Sequence, residues 1–132
     1  MAVQTLVSNV QKILDGIRAA RGSFVLAMLY NRAEEANTGW NLIVAAPWAD
    51  ELGVADSTEA IVRELTLKLD LENKTAISRV TVLETDDSFV RAMNDCCNLI
   101  PPQGVQPARN IVVDAVPIGS GYVFFSEGLV AK

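Results

Sequence analysis

Histidine is absent from all 132 residues of this chain, and that absence excludes more chemistry than any residue present suggests. Serine–histidine–aspartate and cysteine–histidine systems need an imidazole to move the proton of the nucleophile. Zinc and iron sites built on imidazole nitrogen go with them. Cysteine is confined to the adjacent pair Cys96 and Cys97. Sequence neighbours form only a strained disulfide and cannot staple distant segments, so no disulfide framework is expected and the expected setting is a reducing, cytoplasmic one. The pair also lacks the spacing of a redox Cys-x-x-Cys site, and both thiols read as buried and inert.

Positive charge is scarce as well. Eleven lysines and arginines face sixteen aspartates and glutamates, a net charge of −5. Nucleic acid and anionic membranes both draw on lysine and arginine to replace counterions, so neither is an expected partner. Residues 1–7 lack the basic start and apolar run of a secretory signal. No run approaches the roughly 20 apolar residues that span a bilayer. Aromatic residues are 6% of the chain, which leaves the core mainly aliphatic.

What is present has the balance of a folded globule, with 50% apolar and 20% charged residues, and a length suited to a single domain over 1–132. Leu6, Val7, Val10, Ile13, Leu14 and Ile17 recur at helical spacing over residues 4–20, and Gly22 is placed to end that helix. Two short apolar runs, 24–30 and 40–46, read as an antiparallel pair of strands joined by the polar loop 31–39, with Pro47 ending the second. Asp56-Ser57-Thr58-Glu59 has the form of a capping box, opening a helix over 57–69 with Ile61, Val62, Leu65 and Leu69 inward. Residues 71–75 break it. Residues 77–83 are rich in β-branched side chains and predict a strand.

Thr85, Asp86 and Asp87 offer cap oxygens for a third helix, its stripe Phe89, Val90, Met93, Cys96, Cys97 and Ile100 running to Pro101-Pro102. A loop over 103–109 precedes a strand at 111–116, and the Gly119-Ser120-Gly121 turn leads to a last strand, 122–126. The order α-β-β-α-β-α-β-β predicts an α/β (α+β) fold, a mixed sheet of about five strands with helices packed on it and a parallel crossover between the strands at 40–46 and 77–83.

If those two strands are parallel, the loops leaving their carboxyl ends share one edge of the sheet, where open α/β sheets bind ligands. Trp48, Asp50 and Glu51 would then form a ligand-binding platform beside Glu84, Asp86 and Asp87, an oxygen-rich set suited to Mg²⁺ or Mn²⁺. Crowded carboxylates can also hold one member protonated for acid–base work. The plainer reading is that Asp86 and Asp87 cap a helix, Asp50, Glu51 and Asp56 solvate a loop, and Trp48 closes one end of the core. Arg32 and Arg79 are possible anion contacts, and Arg79, in a strand of apolar residues, must reach solvent, a carboxylate or an interface.

With no histidine, no reactive cysteine setting and no complete cofactor motif, the sequence favours a non-catalytic binding or regulatory domain that needs no cofactor. It would bind a protein partner or a second copy of itself. The apolar strand at 122–126 ends the strand pattern, and a homodimer, or Leu129 and Val130, would cover it. Two alternatives stand beside this reading. One is a carboxylate- or Mg/Mn-dependent hydrolase-type enzyme at the acidic edge, which needs those carboxylates to converge. The other is a small-molecule sensor with an apolar pocket near Trp48, which needs a cavity.

Overall fold

The computed structural model describes residues 3–31, 39–96, 106–113 and 116–125. Helix α1 (Val3–Arg21) buries Leu6, Val10, Ile13, Leu14 and Ile17, as its spacing predicts. Gly22, at φ 124°, ends it by donating its N–H to the Arg18 carbonyl at 2.9 Å. Strand β1 (Leu26–Asn31) pairs antiparallel with β2 (Trp40–Ala45), from Leu26 opposite Ala45 to Tyr30 opposite Asn41. Three helices follow, α2 (Pro47–Leu52), α3 (Val54–Lys68) and α4 (Leu71–Ala76). They carry the chain back so that β3 (Ile77–Val82) joins β2 in parallel. Then come α5 (Ser88–Cys96), β4 (Gln106–Val113) and β5 (Val116–Phe125), the last two antiparallel to each other, with β5 also antiparallel to β1.

The result is an α/β fold on one mixed five-stranded sheet in the order β3-β2-β1-β5-β4. Alternate residues of β1 and β2 serve two separate cores, because successive strand side chains point to opposite faces. Ala27, Leu29, Leu42 and Val44 pack with α1 and with Ile61 and Leu65 of α3. Leu26, Met28, Ile43 and Ala45 pack with Phe89, Val90 and Met93 of α5. No described helix is long and apolar enough to cross a membrane.

Several elements depart from the sequence reading, each for a local reason. Pro47 does end β2, but it also starts α2, since its fixed φ suits a first helical position. Gly53, at φ 99°, makes the bend between α2 and α3, and α3 therefore begins at Val54, ahead of the supposed capping box. Asp56 lies within the first turn of α3, and the Ser57 hydroxyl donates to the Ala49 carbonyl of α2 at 3.2 Å. The expected break at 71–75 is helical because the Asp70 carboxylate accepts from the Asn73 backbone N–H at 2.9 Å and from its side-chain amide at 2.8 Å.

The Gly119-Ser120-Gly121 stretch is no turn. It lies inside β5, with Ser120 and Gly121 opposite Asn31 and Tyr30 of β1 and opposite Arg109 and Ala108 of β4. The β4–β5 ladder runs on to Val113 opposite Val116, so the link between the strands is 114–115, and residues 106–109 of the expected loop belong to β4. The last strand is consequently not an edge: β5 lies between β1 and β4, which removes the exposed-edge argument that pointed to a homodimer. The proposed stripe positions Cys97 and Ile100, the stop at Pro101-Pro102, Arg32, and the cover from Leu129 and Val130 lie outside the described residues, as does the side chain of Cys96.

Candidate binding site

Two regions of the sheet invite a functional reading. At the carboxyl ends of β2 and β3 the two loops named from the sequence do meet, because the strands are parallel. Asp50 of α2 reaches across to Thr85. One carboxylate oxygen accepts from the Thr85 backbone N–H at 3.2 Å and the other from its hydroxyl at 2.6 Å. Asp87 turns to its own helix, accepting from the Phe89 N–H at 2.8 Å as the cap of α5. Glu51, Glu84 and Asp86 are exposed. Among the described residues, no three acidic or thiol side chains gather closely enough to hold a metal ion. The oxygens of Asp50 and Asp87 are engaged by groups of the chain itself.

Trp48 is half-buried at the same end. Its ring stands edge-on to Phe24 at 5.9 Å, and Phe24 stacks on Phe125 at 5.5 Å. The two guanidinium groups from the last turn of α1 lie over this aromatic row, Arg21 5.5 Å from the Trp48 ring and Arg18 5.8 Å from the Phe125 ring. Trp48 thus closes one end of the core. Beside it is an open depression lined by Ala20, Arg21, Glu51 and Leu52, not an enclosed cavity.

The second region is the flank of β3, the outermost described strand on its side of the sheet. Here α3, α4 and β3 enclose a groove of about 250 Å³. Buried Leu65 and Leu69 floor it, and Val62, Ile77 and Val80 line its sides. The sequence reading put Val62 in the inward stripe of its helix, but it is 41% exposed, at the margin of that stripe where the groove opens. Leu67 and Leu71, on the same two helices, are 72% and 74% exposed. Ser78 and Arg79 of the strand are exposed as well.

The start of β3 is tied down. The Ser78 hydroxyl donates to the Trp40 carbonyl at 3.3 Å, and Gly39, at φ 98°, allows a close approach in which any Cβ would sit 3.1 Å from the Ala76 carbonyl oxygen. Among the described residues, the charged ones that line the groove are Lys74 and Arg79, both basic. Lys74 donates to the Thr66 carbonyl at 3.4 Å, bridging α4 to α3. On α3 itself the charges pair along the helix, Glu59 with Arg63 at 3.5 Å and Glu64 with Lys68 at 2.9 Å. The hydrogen bond from Lys68, then its charge, holds the Glu64 carboxyl below the usual carboxylate range; partial burial opposes this weakly, and Arg21 and Arg63 add to it.

Compared with known proteins, the chain matches no family model, no curated protein and no solved structure. The sequence reading missed Val62, Lys74, Ile77 and Val80 as a set. Two signals were available. Ser78-Arg79 at the head of an otherwise β-branched run is how an outer strand is often marked, and Leu67 falls off the apolar stripe of its helix.

Proposed function

We propose that this chain is a protein-binding domain whose binding face is the groove along β3, where an extended segment of a partner lies against the outer strand. One observation carries the reading: an outermost strand borders an apolar groove whose lining includes a valine left 41% exposed. An outer strand presents alternate N–H and C=O groups that have no neighbouring strand, and a six-residue strand offers a ladder of about 20 Å. Strand addition draws affinity from that ladder and selectivity from side-chain pockets beside it. The β3 flank supplies both. At the rim of β2 and β3, Asp50 and Asp87 already serve the fold, and no three acids gather there among the described residues, which leaves the carboxylate-enzyme reading without a converging set.

The test is selection from a displayed library of random peptides on the immobilised chain, followed by counter-screening on Val62→Asp and Val80→Asp variants that keep the wild-type circular dichroism spectrum. Selected peptides that lose binding to both variants support the groove. Peptides indifferent to both substitutions, or selected only through the Trp48 depression and lost in Trp48→Ala, overturn it.

A further inference from the structure

Resting on the groove as the binding face, we infer that its occupant is an acidic extended segment in which aliphatic residues alternate with glutamate or aspartate. The argument is one of charge placed against charge. The chain as a whole carries −5, yet among the described residues the charged ones lining the groove are the basic Lys74 and Arg79. Neither meets a carboxylate among the described residues: Lys74 bonds a backbone carbonyl, and Arg79 is exposed on the strand. The acids nearest along α3 are already spent, Glu59 on Arg63 and Glu64 on Lys68. As the described residues form it, the groove is therefore a basic island on an acidic molecule. A basic segment would meet two like charges there and, among the described lining residues, no acid.

Shape fixes the rest of the pattern. Strand side chains alternate with a period of two, so an incoming strand beside β3 presents every second residue to the groove. Aliphatic side chains at those positions cover Val62, Ile77 and Val80. The guanidinium of Arg79 takes carboxylate in a bidentate fork, and the Lys74 ammonium takes it as a point charge at the groove margin. Nucleic acid, the other common polyanion, lacks the aliphatic half of this pattern.

Three synthetic octapeptides test it on the full chain: alternating valine and glutamate, alternating valine and lysine, and alternating valine and serine, each titrated by fluorescence anisotropy. The glutamate peptide is expected to bind at least about tenfold more tightly than the lysine peptide, to weaken as salt rises past the screening range, and to lose that preference in K74E/R79E. The double variant should favour the lysine peptide while unfolding at the wild-type temperature. Equal binding of all three peptides, still abolished by Val62→Asp, overturns the acidic occupant and leaves the groove standing. No binding that depends on Val62 overturns the groove itself. A concentration-dependent dimer abolished by Val62→Asp would name a second copy as occupant and overturn the acidic segment.

Discussion

At the rim above β2 and β3, Asp50 and Asp87 have found partners within the chain. On the flank of β3, apolar groups and a strand edge have none among the described residues. The rim looks richer in sequence, with five carboxylates and a tryptophan in two short loops, yet Asp50 is tied to Thr85, Asp87 caps α5, and Trp48 packs on Phe24. The flank looks plain in sequence, yet it leaves Val62 in solvent beside an outer strand, and Leu67 and Leu71 of the same two helices are exposed as well. Acidic clusters are often spent on architecture, because helix starts and loop tethers need oxygen acceptors. Exposed aliphatic surface has no such local use, so what remains after folding says more about partners than what the motifs advertise.

The contrast can be broken at four places. The largest effect is expected beneath the rim, where Phe24→Ala removes a fully buried ring that stacks on Phe125 and meets Trp48 edge-on. The cost should be about 3–5 kcal/mol by urea denaturation, enough to unfold a marginal domain. Next is the tether. Thr85 is 8% exposed, so Asp50→Ala strands a buried hydroxyl and N–H and should cost about 1–3 kcal/mol. Thr85→Val leaves an exposed carboxylate that water can serve, and should cost less. A double-mutant cycle returning no coupling would show the rim tether to be idle.

On the flank the stability effects should shrink while the binding effects grow. Val62→Ser is expected to move the unfolding free energy by no more than about 0.5 kcal/mol, and yet to abolish capture of groove-dependent peptides. A larger destabilisation would make Val62 a core residue and return the flank to architecture. The smallest effect concerns Glu64. Its carboxyl lies below the usual range when folded, so its contribution to stability is present above the unfolded-state pKa and is lost as pH falls through the folded value. Lys68→Gln should raise the Glu64 pKa toward the ordinary value in a carbon-detected carboxyl titration, and added salt should shrink the difference between the two proteins.

Periodicity made much of the fold legible. The α1 stripe, the two apolar runs of the first hairpin, the parallel return to β3 and the cap at Asp87 all follow from spacing and residue type. Glycine was the main source of error. Gly119 and Gly121 resemble a turn in one dimension, but β1 and β4 on either side hold them extended, and a single sequence carries no mark of strands that will flank it. Gly53 was passed over although it separates α2 from α3, and with it went the true start of α3 and the angle that brings Val62 to the groove margin. The candidate site was the least legible part. A groove between α3, α4 and β3 depends on which strand is outermost, and strand order is set by pairings more than thirty residues apart in sequence.

The strand order has a further consequence for how the chain comes to be folded. The first strand, β1, and the last, β5, are neighbours at the middle of the sheet, separated by most of the sequence. During synthesis, β1, β2 and β3 can assemble first, and until residues 116–125 emerge the run Leu26-Ala27-Met28-Leu29 borders an unfilled seam in the centre of the molecule. A sheet closed by pairing of strands this far apart in sequence folds slowly for its size and keeps its stickiest strand open until the distant partner arrives. Until β5 is made, the nascent chain therefore carries a risk of aggregation at a seam that the finished fold buries.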